Sequence, residues 1–446
     1  MTKTIDLLHG KIMRSLCILA VPIVMTYFIQ MAYNFIDMIW IGRLGSGAVA
    51  GVGVAGMFTW FSNGLVMMAK MGGQVKIGHC LGAGDDDDAR RYLGAALKLG
   101  IVFALFFGIG INILAHSLIG FFHLSSPAVI HDAVLYLRIT CGLVIFTFMN
   151  QIFTSSFNVY GDSRTPFIMN TCGLVSNVIA DPLLIFGIGP FPEMGIRGAA
   201  LATGIGQTTG LCIYLLTSRI KPLNLQFKMQ YFKPDKNICR RLYGIGIPAT
   251  LNMALPSFLI SALNILLGTF SDTQVLVLGI YYKLQSFLYL PANGMIQGMR
   301  PIMSYNYGAR ESSRVRSIYQ TALYIIILIL LAGTVLCLAV PDQLIHLFSD
   351  NTETIVAGRR ALRIICIGFA VSGVSVVTAG ALEAMGKGIH SLLISCMRYI
   401  VLILPLAFIF SHFFGVNGVW HAFWITEVIT AVTSGLIFYH QYRAIA

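Results

Sequence analysis

The sequence predicts an all-α, polytopic membrane protein with twelve transmembrane helices in two pseudo-symmetric six-helix bundles. Three observations carry that prediction. Of 446 residues, 57% are hydrophobic and only 11% are charged, whereas a soluble domain carries roughly 25% charged residues. The mean hydropathy is +0.78, and apolar runs of the roughly 20 residues that a bilayer-spanning helix needs recur along the whole chain. The chain also repeats itself at a fixed spacing. Ile12-Met-Arg-Ser-Leu16 matches Ile238-Cys-Arg-Arg-Leu242, Pro22 matches Pro248 and Gly82-Ala83 matches Gly308-Ala309, all at a shift of 226. Leu137-Arg138-Ile139 matches Leu362-Arg363-Ile364, and Gly161 matches Gly386, at a shift of 225.

The first six spans are expected near 14–40, 46–76, 91–116, 129–157, 165–187 and 195–218. The second six are expected near 239–269, 273–303, 314–340, 356–384, 388–412 and 416–440. Several exceed the length a bilayer requires, so they tilt or protrude. This divides the chain into an N-lobe over 1–220, a basic linker over 221–237 and a C-lobe over 238–446. Six helices return the chain to its starting side. The two halves therefore share one orientation and are related by an axis along the membrane normal, an arrangement that lets one half rock against the other. The polar start from Met1 to Gly10 and the long first apolar run predict no cleavable signal.

Charge fixes the orientation. The chain has a formal net charge of +12, and its Lys and Arg crowd into alternate loops. Lys3, Lys11 and Arg14 open the first helix; Lys76, Arg90 and Arg91 follow the second. Lys221, Lys228, Lys233, Lys236, Arg240 and Arg241 lie between the halves, and Arg310, Arg314 and Arg316 follow the eighth helix. The positive-inside rule then places both termini in the cytoplasm, with the protein in the inner (plasma) membrane. Arg359 and Arg360 break the pattern, and Asp350 and Glu353 are the nearby acids able to offset them. This distribution explains the excess charge without nucleic acid, since no basic face is interleaved with stacking aromatics. The nine cysteines are scattered and form no C-x-x-C pair, so no disulfide framework or metal site is expected.

Each carboxylate inside a bilayer costs about 2.5–3.5 kcal/mol, so each needs a reason. Asp37 ends a polar stripe in the first helix, with Gln30 and Asn34 at helical spacing on the same face. Asp181 lies one turn after Asn177 in the fifth span and just before Pro182, which cannot donate a backbone hydrogen bond. Burial favours the neutral form of a carboxyl group, and a neighbouring carboxylate favours it further. Two such acids can load a proton on one side of a membrane and release it on the other; a hydrated helix end is the bland alternative. Tyr136 and Thr203 can hydrogen-bond into the same pocket. The second half shows Leu263 at the position of Asp37 and Leu404 near its own Pro405, so the coupling chemistry is expected in the first half. Lys283 and Glu427 are candidates to line a substrate cavity together with Gln30 and Asn34, while Lys70 and Glu383 lie near span ends where long side chains snorkel. The run Asp85–Asp88 reads as a helix N-terminal turn favoured by the helix dipole. No nucleotide loop, zinc motif or nucleophile elbow is present. The chain is thus expected to be no enzyme, to need no cofactor and no ATP, and to draw on ion gradients.

Four segments resemble the multidrug and toxic compound extrusion (MATE) family, and the resemblance covers essentially the whole chain. They are Asp37-Met-Ile-Trp-Ile-Gly-Arg-Leu-Gly45, Leu81-Gly-Ala-Gly-Asp85 with Ala89-Arg-Arg91, Asn177-Val-Ile-Ala-Asp-Pro-Leu-Leu-Ile-Phe-Gly187 and Pro301-Ile-Met-Ser-Tyr-Asn-Tyr-Gly-Ala-Arg310. The resemblance implies a V-shaped pair of six-helix bundles exporting small, cationic, amphipathic compounds in exchange for H⁺ or Na⁺. It implies that Asp37, Asn177, Asp181, Tyr136 and Thr203 handle the coupling ion, with Na⁺ at Asp37 and Asp181 as the alternative to a proton. The expected partners are a small-molecule substrate and the lipid bilayer, and the expected state is a monomer. Two features depart from the NorM-type pattern. Pro256 stands where a helix-seven glutamate is usual, and no helix-ten aspartate is evident, which points to the DinF-like or MepA-like branches. A lipid-linked oligosaccharide flippase of the same superfamily is the alternative function; it calls for a cationic cavity, whereas the deep charges of the first half are acidic. A membrane-embedded enzyme would need a paired nucleophile and base, and the histidines show no such pairing.

The charge asymmetry yields a direct test of orientation. A cysteine placed at Asn224 in a cysteine-free background is expected to resist an impermeant external thiol reagent in intact cells. Its labelling from outside would invert the assigned topology.

Overall fold

The computed structural model describes residues 6–122, 126–220 and 235–444, and among them every regular element is helical. Most of the linker expected over 221–237 therefore lies outside the described residues. The first set of helices is α1 (Ile12–Gly42), α2 (Ser46–Gly82), α3 (Asp86–Gly120), α4 (Pro127–Gly142), α5 (Val144–Val159), α6 (Arg164–Ile185) and α7 (Ile196–Ile220). The second is α8 (Lys236–Gly268), α9 (Asp272–Gly308), α10 (Ser312–Ala339), a short α11 (Pro341–His346), α12 (Thr352–Ile365) and α13 (Ile367–Ala384). It ends with α14 (Gly388–Cys396), a π-helical turn (Met397–Leu402), α15 (Ile403–Phe414) and α16 (Val416–Arg443).

Eleven of these spans are long and apolar enough to cross a membrane, or twelve when α4 and α5 count as one span bent by 44°. The fourth span of each half is therefore broken. In the first half the break falls at Leu143, between α4 and α5; in the second it falls at Cys366, between α12 and α13. At that break the Cys366 carbonyl accepts both the Phe369 amide and the Thr334 hydroxyl, each at 3.0 Å. α12 carries Arg359, Arg360 and Arg363 in fourteen residues, which makes it too polar to span alone. Arg359 is held by Asp342, not by the Asp350 or Glu353 that proximity in sequence suggested. Asp85 caps α3 by accepting the Asp88 amide at 3.0 Å, so the acidic run does form a helix start.

The helices gather into two compact units, and α1 and α8 each contribute to both. One unit holds Met25–Gly246; the other holds Asp6–Val24 and the chain from Ile247 onward. The changeover sits beside the matched prolines Pro22 and Pro248, where each helix loses a backbone hydrogen bond. Small residues let the helices approach closely there. In the first unit a Cβ added at Gly246 would stand 2.1 Å from the Met68 carbonyl oxygen; in the second, one at Gly298 would stand 2.8 Å from Ala20 Cα. Membrane helices associate through such backbone proximity because lipid supplies no hydrophobic drive between them.

Two polar locks organise the second unit. Asn306 donates to the Leu7 carbonyl at 2.9 Å, and Arg314 donates to the Gly10 carbonyl at 2.9 Å and to Asn306 Oδ1 at 3.0 Å. Asn306 and Arg314 thus fix the turn that precedes α1. Glu383 does not snorkel. It is 4% exposed, pairs with Arg300 at 2.5 Å, and accepts Asn252 at 2.9 Å and Ser391 at 3.2 Å. This network ties α8, α9, α13 and α14 together.

Removing one member of a buried pair strands the other charge. Glu383→Ala is expected to destabilise the detergent-solubilised protein by about 3–5 kcal/mol, whereas replacing both partners together, Arg300→Met with Glu383→Leu, should recover most of that loss. Thermal unfolding followed by labelling of the buried thiols Cys337 and Cys366 reads both.

Candidate functional site

The first unit buries an acidic cluster that no cation neutralises among the described residues. Asp181 is 0% exposed, and neither of its carboxylate oxygens has a hydrogen-bond partner. Asn177, one turn earlier on α6, is 3% exposed, and both of its amide atoms are likewise unpartnered. α7 can approach Asn177 because Gly206 has no side chain; a Cβ there would stand 2.8 Å from Asn177 Cβ and 2.7 Å from the Gly173 carbonyl oxygen. Pro182 leaves α6 without one backbone bond just beyond Asp181, and the loop that follows folds back, with the Met194 amide donating to the Leu184 carbonyl at 3.0 Å.

α1 delivers the second acid. Asp37 is half-buried, with its Oδ1 buried and unpartnered. The end of α1 is pinned to the end of α6 by Trp40 and Phe186, whose rings meet edge to face at 5.9 Å. Arg43, the nearest cation in sequence, lies 4.7 Å over the Trp40 ring. Asp37 and Asp181 sit close enough to act on each other electrostatically, and Tyr136 on α4 feels both charges. Tyr33 joins them: its hydroxyl shares a hydrogen bond with Thr203, and it senses Asp37, Tyr136 and Asp181.

Five of the residues singled out from sequence are thus brought to one place: Asp37, Asn177, Asp181, Tyr136 and Thr203. Tyr33 completes the cluster and was missed, although it lies one helical turn before Asp37. Gln30 and Asn34 are exposed on α1. Of the remaining charges, Lys70 donates to Gln151 Oε1 at 3.3 Å, and Gln151 in turn donates to Asn63 at 2.6 Å. Lys283 is exposed, with its ammonium 5.8 Å from the centre of the Phe348 ring. Glu427 is engaged by Arg398, whose Nε donates to Glu427 Oε1 at 2.9 Å. Arg398 was also missed; its signal was being the lone Lys or Arg between 388 and 414.

The arrangement can hold protons or a monovalent cation. Asp181 Oδ1 and Oδ2, Asn177 Oδ1 and Asp37 Oδ1 are all buried and unsatisfied. Orphaned buried acceptors cost free energy until a proton or a cation reaches them. The described residues contain no group of three or more His, Cys, Asp or Glu side chains arranged to hold a metal ion.

Comparison with known proteins agrees with the repeat and the fold. A family model described as MatE matches residues 22–183 and 248–409, two segments displaced by the repeat shift. The probable multidrug resistance protein YoeA of Bacillus subtilis is 26% identical over 421 residues, covering 92% of this chain and 90% of its own. The FAD transporter of Shewanella oneidensis is 27% identical over 436 residues, covering 96% of this chain and 94% of its own. A multidrug resistance MATE family transporter of the MOP superfamily, solved in an outward-facing conformation, matches with a TM-score of 0.90 at 23% identity, over 100% of this chain and 99% of its own. Two matched halves, full-length relatives and a shared fold lead to one assignment: the chain belongs to the MatE family of multidrug efflux transporters.

Proposed function

We propose that this chain is a secondary active antiporter that exports small, cationic, amphipathic compounds in exchange for H⁺ or Na⁺ by alternating access. The observation that carries this reading is the uncompensated pair Asp37 and Asp181. Asp181 is sealed from solvent with both oxygens unpartnered, and Asp37 lies within its electrostatic reach. A charge left in that state binds a proton or small cation strongly. Opening the site to the other side of the membrane releases the ion, and the change in charge biases the two conformations differently. The membrane potential contributes about 2.3 kcal/mol per charge per 100 mV to such an exchange. On this reading the protein works as a monomer in the plasma membrane, with both termini cytoplasmic, and without ATP. Tyr33, Tyr136, Asn177 and Thr203 surround the two acids and supply polar groups able to bond the ion when it enters.

The flippase reading needs cations free to hold a pyrophosphate. The deep charges of the first unit, Asp37 and Asp181, are acidic, and Arg300 of the second unit is held by Glu383, which favours the antiporter.

Transport in proteoliposomes with pH and Na⁺ gradients imposed separately tests the proposal. Asp181→Asn and Asp37→Asn keep the side-chain shape and remove the ionisable group. Both variants are expected to fold and to lose gradient-driven export. The double variant should be little worse than either single one, because coupled sites act as a unit. Wild-type dependence on the driving gradient in both single variants would overturn the assignment of these acids.

A further inference from the structure

The second unit contains a charged centre of a different kind. Arg398 lies in the apolar span Gly388–Phe414 and is 9% exposed. Its helix leaves α-geometry there, since Arg398 belongs to the π-helical turn Met397–Leu402. Such turns recur at functional sites. A buried ion pair is weak evidence for stability, because the desolvation of both charges offsets their attraction. This pair is also half-made. Glu427 uses Oε1 for both contacts with Arg398, while Oε2 is buried without a partner. The two side chains nevertheless keep 11% and 14% of their surface exposed, so the pair borders accessible space.

Aromatic rings surround it. Tyr281, Tyr282 and Tyr289 of α9 lie within electrostatic reach of both Arg398 and Glu427, and the guanidinium carbon of Arg398 is 5.1 Å from the centre of the Tyr399 ring. The Tyr282 hydroxyl is buried and unpartnered. α13 turns Gly368 toward Glu427, where an added Cβ would come within 3.3 Å of Glu427 Cγ. The groups that act on Glu427 are Arg398 from the π-turn and the three tyrosines from α9; α12, which also packs against α16, brings Arg359, Arg360 and Arg363, of which Arg359 is held by Asp342. The neighbouring α13 residues, Gly368, Phe369 and Ser372, do not titrate.

We propose that Arg398 is the anion-recognition group of a second ligand site, selective for planar aromatic anions, and that Glu427 occupies it as an internal surrogate for the ligand's carboxylate, phosphate or sulfonate. A guanidinium matches such groups with two parallel hydrogen bonds. Tyr281 and Tyr289 are buried against Phe369, while the half-buried rings of Tyr282 and Tyr399 border the pair and supply aromatic surface for the ligand's ring. Protonation of Glu427 removes the surrogate's charge and frees Arg398, so the site opens to anions as pH falls. This inference is independent of Asp37 and Asp181, and it extends the cargo from cations to anionic aromatics.

Equilibrium binding of 2-naphthalenesulfonate, an anion at every pH used, to the purified full-length protein in detergent tests it without any gradient. Wild-type affinity is expected to rise as pH is lowered. Glu427→Gln should bind about tenfold or more tightly than wild type at neutral pH and lose the pH dependence, because the competing group no longer masks the site. Arg398→Gln combined with Glu427→Gln leaves no stranded charge and should lose that gain. The uncharged isostere 2-naphthalenesulfonamide should show no gain in any variant. Equal binding of the anion by the single and double variants, or wild-type binding that is flat with pH, would overturn the proposal. The second criterion stands even if Glu427→Gln fails to fold. A failure of this test leaves the export assay on Asp37 and Asp181 untouched.

Discussion

Inside a bilayer a polar group has no water to turn to, and this one constraint orders the rest of the molecule. Helices satisfy their own backbones, which is why the described residues contain no other regular element. Side chains must find partners or carry a cost. The second unit pairs its charges, Arg300 with Glu383 and Arg398 with Glu427, and leaves single atoms such as Glu427 Oε2 unbonded. The first unit does not pair its deep acids among the described residues. Asp181, Asn177 and one oxygen of Asp37 are buried with nothing to bond. A cost of about 2.5–3.5 kcal/mol for each membrane carboxylate is retained there without structural return. That imbalance is what makes the cluster a candidate for exchange chemistry rather than for stability.

The scaffold holds this cluster through ordinary packing. Trp40 against Phe186 fixes the end of α1 beside α6. The bare Gly206 lets α7 close on Asn177, and Thr203, three residues earlier on α7, reaches Tyr33. Pro22 and Pro248 mark where α1 and α8 leave one unit for the other. A helix weakened by proline at that point can bend without breaking either unit. The same repeat therefore supplies two similar frames, and the side chains set within them give each frame a different charge state.

Much of this was legible in the sequence because membrane constraints act on composition. Hydropathy set the spans, and the shift of 226 set the halves that the family model matches. The acids stood out because carboxylates are rare in apolar runs, and Asn177 was visible through helical spacing. What was not legible depended on tertiary partners. Tyr33 looks like one more aromatic in an apolar helix until Thr203 is brought to it. Glu383 sits near a span end in sequence and reads as a side chain that snorkels, but Arg300, Asn252 and Ser391 from three other helices enclose it. Glu427 suggested a cavity wall on its own, and only the fold supplied Arg398. Periodicity reports which face of a helix is polar, not which helix will meet it.

On the proposed exchange, the coupling ion held at Asp37 and Asp181 leaves when cationic cargo binds. Proton release on binding measures that exchange directly. Purified protein in weakly buffered, sodium-free detergent solution would be mixed with a lipophilic cation such as tetraphenylphosphonium, and the pH followed with an indicator dye. The account predicts that binding releases protons from the wild type and releases none from the variant carrying both Asp37→Asn and Asp181→Asn. Equal proton release from the wild type and the double variant, or tight binding to the wild type with no release at any pH tested, would contradict it.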